Sequence, residues 1–204
     1  MIHYITTNGI GNPWVAAELR ELDVSYGIRC ELHSMRAPGN PYFKSQWAAD
    51  MNRRTRLVYP LPPLRLAASL LAAPFLFRAR FLAACLNALF GERESLRARV
   101  AGCAHVLVAA HWARGLRGEP VSRIHSQWAH SCATIGMYGA WLLGVPFSFT
   151  GHAVDLFRDR CALKDKVKRA DLIVCISRFH RDLYRELGAT DAQMHIVYCG
   201  IDLD

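Results

Sequence analysis

Three short stretches bring together residues that can do chemistry. In "FSFTGHAVDLF" (147–157) an apolar run breaks at Gly151, and His152 and Asp155 follow three residues apart. Histidine changes protonation near neutrality and donates readily to a sugar or phosphate oxygen. The aspartate has three uses here: orienting the histidine, capping a helix, or binding a substrate hydroxyl. Gly151 admits an unusual backbone angle. In "RIHSQWAHS", His125 and His130 flank Gln127. In "TNGIGNPW", Gly9 and Gly11 let a backbone approach a ligand closely. The helix that follows opens with Asn12 as cap and Pro13 behind it, and its N-terminus favours an anion. A bare GxG, without the third glycine and the later acid, falls short of the dinucleotide fingerprint. Nothing matches HExxH or a Cys/His pair at zinc spacing, so no metal is expected. These residues alone leave hydrolysis of a sugar or phosphate ester open beside group transfer.

The elements that must position these loops follow from apolar patterning. Strands are expected at 2–6, 28–33, 55–60, 122–126, 146–150, 172–177 and 194–199, with helical segments between most of them. "PWVAAELRELDVSYG" opens on proline, "SCATIGMYGAWLLG" closes on Gly144, and "SRFHRDLYRELG" runs from Ser177 to Gly188. Alternating strands and helices predict a Rossmann-like, doubly wound α/β fold. The sheet is expected to be mostly parallel, with about seven strands buried on both faces. Ligands of such sheets bind outside the carboxyl ends of the strands, where all three chemical loops fall.

Composition narrows the partners. The 204 residues are 52% hydrophobic and 21% charged, enough for a substantial core and too apolar for a disordered chain. The net charge of +8 is uneven. Residues 53–123 hold twelve Arg and three acids, whereas the rest holds 13 basic and 14 acidic residues. That excess overlaps an apolar helical segment, 61–102, which predicts contact with an anionic membrane surface through Arg65, Arg78 and Arg80. Its uncharged run from Leu66 to Phe77 is too short to span a bilayer. No motif supports nucleic-acid binding. The seven scattered cysteines and the absence of a charged n-region with an apolar core predict a reducing, cytoplasmic setting, peripheral to the inner face of the plasma membrane.

From about residue 122 onward the chain resembles the N-terminal domain of family 4 glycosyltransferases, especially those of the colanic-acid type that build exopolysaccharide. The blocks that carry the likeness are "IHSQWAH", "LLGVPFSFTGHAVDLF", "KRADLIVCISRFHRDL" and "MHIVYCGIDLD", in order and at matching spacing. The resemblance implies a GT-B fold, in which two Rossmann-like domains face each other across a cleft. It implies retaining transfer of a sugar from a nucleotide-sugar to a lipid-linked or polysaccharide acceptor, without metal or other cofactor. By position His152 matches the family's active-site histidine and Asp155 the acid beside it. Gly9 and Gly11 match the loop that meets the donor diphosphate. Asn12, His125, Gln127, His130 and Arg178 stand as acceptor-side cleft candidates, and Gly200 and Asp202 lead toward the second domain. Gln127 occupies a place where the family often has a second histidine, and Gly151 replaces a common alanine. No Glu-x7-Glu element follows before residue 204. The expectation is therefore a single acceptor-side domain over 1–204, lacking the nucleotide-sugar domain and inactive alone. A non-catalytic acceptor- or membrane-binding module is the alternative.

Overall fold

The computed structural model describes residues 1–37, 45–158 and 160–200. Among these, seven strands form one sheet: β1 (Ile2–Thr6), β2 (Cys30–Ser34), β3 (Arg56–Leu57), β4 (Arg123–Gln127), β5 (Phe147–Thr150), β6 (Leu172–Cys175) and β7 (Met194–Ile196). Their order is β3-β2-β1-β4-β5-β6-β7, and every pairing is parallel. The chain leaves β1 in one direction to build β2 and β3, then returns to its other side at β4. The carboxyl ends of β1 and β4 therefore frame the switch point where such sheets open a crevice.

The helices are α1 (Pro13–Val24), α2 (Gln46–Arg54), α3 (Pro63–Phe77), α4 (Ala79–Phe90), α5 (Leu96–Leu116), α6 (Ser131–Leu143), α7 (Ala153–Phe157), α8 (Leu163–Arg169) and α9 (Arg178–Glu186). One apolar cluster joins α1 and α2 to Tyr4 and Leu32. A larger one joins α3–α6, α8 and α9 to the rest of the sheet. Gly139 of α6 is required by packing, because a Cβ there would lie 2.7 Å from Trp112 of α5. Gly144 closes α6 in the left-handed conformation, as its position after the apolar run predicts. Ser177 caps α9 by accepting from the His180 amide.

Several expected boundaries shift. The stretch 55–60 contributes only Arg56–Leu57 to the sheet, because Pro60, Pro62 and Pro63 end the supply of amide donors. β4 runs one residue beyond expectation, to Gln127, and β7 stops three residues short, at Ile196. Asn12 does occupy the cap of α1 in an extended conformation, but its side chain makes no capping bond. The apolar segment 61–102 contains parts of three helices. α3 and α4 meet at 115° across Arg78, whose φ of 52° breaks the helix. Pro74 lies inside α3 without ending it. Among the described residues no single helix is long and apolar enough to cross a membrane, although the bent α3–α4 pair has the combined length and composition.

Candidate functional site

The carboxyl ends of β1, β4 and β5 gather the chemical loops. After β1, Gly9 takes a φ of 57°, where a side chain would be strained, and the Thr6 hydroxyl donates to its carbonyl at 3.1 Å. The Gly11 amide closes the turn on Asn8 O at 3.0 Å. After β4, Trp128 adopts a φ of 84°, a rare conformation for a bulky residue and one that clusters at functional sites. After β5 comes His152, at the cap of α7. The Trp128 ring lies 4.5 Å from the His152 ring, centroid to centroid, and Trp14 from α1 lies 5.9 Å from it. His130 stacks beyond Trp128 at 6.3 Å.

A chain of hydrogen bonds leads into His152 from the sheet. Tyr4 Oη donates to Gln127 Oε1 at 2.8 Å, which turns the Gln127 amide nitrogen toward His152 Nε2 at 2.9 Å. Burial lowers the His152 pKa to about 4, with a smaller push from His180, so the ring is neutral at pH 7. At the far end of the chain, burial raises Glu18 of α1 to about 7, opposed by its hydrogen bond with Tyr4. The Glu18 carboxyl therefore titrates near neutrality beside a cavity of about 580 Å³, lined also by Trp14, Gln127, Thr150, Tyr198 and Gly200. A second cavity of about 470 Å³ is lined by Thr7, Arg36, Tyr59, His105, His130 and Ser131.

Asp155 does not face either cavity. It is completely buried, and its two oxygens accept from the backbone amides of His152, at 2.8 Å, and of Ala129. The side chain fixes the His152 loop through the backbone and fastens it to the loop after β4. Burial raises its pKa, while those amides and the nearby Lys166 ammonium pull it down. Lys166, also completely buried, donates to Cys161 O. Of the three uses the sequence leaves open for Asp155, this arrangement is the capping one, with both oxygens taken inside the fold.

The remaining candidates divide. Gln127 and His152 are in contact. His130 stands at the N-cap position of α6 without a side-chain capping bond, and its Nε2 is 3.3 Å from Thr7 Oγ1, so it joins the β1 loop to the β4 loop. His125 is not part of the crevice. It sits within β4, with Nδ1 2.9 Å from Ser148 Oγ and Nε2 3.3 Å from Thr150 Oγ1, and burial lowers its pKa to about 4. Arg178 is exposed at the start of α9, after β6. Gly200 lines the larger cavity, whereas Asp202 lies outside the described residues. Gly151 is not in the left-handed region. Its missing side chain makes room for Tyr184 Oη and for Leu156, whose Cδ2 would be 2.8 Å from a Cβ. Of the three arginines expected at a membrane, Arg78 forms the α3–α4 elbow and Arg80 lies over Gly144 at the carbonyl end of α6. Arg65 lines a separate cavity.

Sequence reasoning passed over Trp14, Trp128, Tyr4 and Glu18. One signal was legible: an aromatic residue directly after a strand, as in "SQW", stands at the ligand edge of a parallel sheet. Among the described residues, no three His, Cys, Asp or Glu side chains converge to hold a metal ion.

The fold is shared with solved proteins. A crystal structure of Anabaena HepE (Alr3699) in complex with UDP and glucose superimposes with a TM-score of 0.52 at 13% identity, covering 99% of this chain and 45% of HepE. A second, of HepE with UDP-glucose, gives 0.51 at 11% identity, covering 99% and 44%. The chain thus spans less than half the length of these proteins. No curated protein matches it in sequence. Residues 93–204, more than half of the chain, match the model of Glycosyltransferase Family 4 and contain the whole β4–β5 side of the crevice with His152. By that match the chain belongs to glycosyltransferase family 4.

Proposed function

We propose that these residues form the acceptor-side wall of a retaining hexosyltransferase that moves a sugar from a nucleotide-sugar to a lipid-linked or polysaccharide acceptor, as in exopolysaccharide assembly. The observation that carries this reading is the meeting of His152, Trp128 and the β1 turn at the switch point of a family 4 chain. The neutral His152 ring offers hydrogen bonding to a sugar hydroxyl without adding charge. Trp128 and Trp14 supply apolar rings against which the carbon face of a sugar packs. The β1 turn brings backbone close to the departing diphosphate, whose developing charge such amides stabilise. Most of the nucleotide is held by a second domain facing this wall, and the reaction uses no metal. UDP-glucose bound to HepE makes it the first donor to try.

Saturation-transfer NMR with the 204-residue chain tests the wall directly. Oligosaccharides should give signals that Trp128→Ala abolishes. Saccharide signals unchanged by Trp128→Ala would remove the site from the cleft. Turnover of UDP-glucose by the 204 residues alone would overturn the division of labour between two domains.

A second reading, docking on an anionic membrane surface at the cytoplasmic face, is favoured by the outer surface of α3–α5. Leu64, Leu71, Phe75, Phe90 and Leu96 are 75–86% exposed there. Large apolar side chains exposed in this number on neighbouring helices point to an interaction site.

A further inference from the structure

A third cavity, of about 400 Å³, lies between β3, the first half of α3 and the last turns of α5, and shares no residue with the two cavities of the crevice. Its lining includes Arg56, Arg65, Arg114, His111 and Ser69, and no carboxylate. Only Arg56 is neutralised, by Glu119 at 2.8 Å. Among the described residues neither Arg65 nor Arg114 has an acidic partner. Ser69 holds the group in place. Its hydroxyl donates to Arg65 O at 2.8 Å, lies 2.9 Å from His111 Nδ1, and accepts from Arg114 at 3.4 Å. Two unpaired guanidiniums converging on one hollow match the geometry of a phosphate.

The exposed face of α3 identifies what carries that phosphate. Leu64, Leu71 and Phe75, spaced by seven and four residues, form one exposed stripe of α3. Arg65 flanks this stripe on the cavity side. A water-soluble phosphate ester has no use for an exposed apolar stripe on the helix that lines its pocket, whereas a phospholipid presents both chemistries at once. We propose that this cavity receives the phosphate of an anionic lipid, with Leu64, Leu71 and Phe75 entering the acyl region beside it. The proposal rests on the membrane reading given above and makes it specific.

Vesicle flotation of the 204-residue chain at fixed salt tests it, with phosphatidylglycerol against phosphatidylcholine. The chain should float with the first and not the second. Arg65→Gln with Arg114→Gln should weaken binding tenfold or more, and Leu71→Ser with Phe75→Ser should do the same. Arg29→Gln with Arg54→Gln removes equal charge from other exposed sites and should change binding less than twofold. Arg65→Lys with Arg114→Lys should retain an intermediate affinity. Circular dichroism checks that each variant is folded. Equal loss from both glutamine pairs would overturn the cavity while leaving membrane docking intact. No flotation by the unaltered chain would overturn both. Binding of inorganic phosphate, abolished by the Arg65/Arg114 pair in a chain that ignores vesicles, would overturn the lipid as its source.

Discussion

At the ends of β1, β4 and β5 polar side chains are partnered inside the fold, whereas on the outer surface of α3–α5 they are left to the surroundings. Asp155 spends both oxygens on backbone amides, Gln127 spans Tyr4 and His152, and His125 is held on both nitrogens. These histidines are neutral because burial makes the charged form costly. Arg65 and Arg114, by contrast, carry permanent charge that, among the described residues, no acid meets. The first arrangement yields a rigid surface whose chemistry is set in advance. The second creates a demand that a partner must satisfy. Stability should therefore be concentrated at the crevice, and association at the helices.

Acid gives the largest expected effect, through the buried histidines of both regions. Burial holds His33 at about 3 and His105, His125 and His152 at about 4, against an ordinary 6.5. The unfolded chain binds more protons than the folded one between those values, so stability must fall as pH drops from about 6.5 toward 4. Each histidine contributes on the order of 1 kcal/mol per pH unit in that window, giving a loss of several kcal/mol in all. Glu18 works against this: with its folded pKa raised to about 7, its contribution is full below about 4.5 and is lost as pH rises to 7. Urea midpoints measured from pH 7 to 4.5 should fall steeply, and a flat profile would show that the histidines are solvated.

Gly151→Ala comes next. Its Cβ would land on Tyr184 Oη and Leu156, an overpacking cost of about 1–3 kcal/mol. Adding Tyr184→Phe should restore part of the loss in denaturant titrations, and no rescue would locate the strain elsewhere. Tyr4→Phe removes the hydroxyl between Gln127 and Glu18, for about 1 kcal/mol. Smallest of all, Leu71→Ser and Phe75→Ser should alter thermal stability by no more than about 0.5 kcal/mol. A larger effect would mean that the α3 stripe is core rather than an interface.

Much of the sheet was legible because a parallel strand buried on both faces must be an apolar run. The Gly144 and Ser177 caps were legible for the same local reason. The crevice was only half legible. His125 falls within an expected strand and His152 just beyond one, yet both read as cleft residues. His125 pairs with Tyr4 and Ser148 inside the sheet, while β5 ends before His152. That difference depends on register, which a neighbouring strand sets. Glu18 was hidden because a carboxylate on an amphipathic helix reads as solvated, and only packing against Tyr4 buries it. The α3–α4 elbow was hidden because arginine carries no helix-breaking signal of its own.

The Asp155 clasp has a consequence for anyone wishing to redesign the crevice. One carboxylate stitches the turn at 129 to the turn at 152, so a replacement for the second turn that lacks the aspartate leaves the buried Ala129 amide without its acceptor. Residues 128–130 and 151–155 are therefore inherited as one cassette. Swapping them together should transplant a working surface, and replacing 151–155 by a turn without an aspartate at 155 should destabilise the graft.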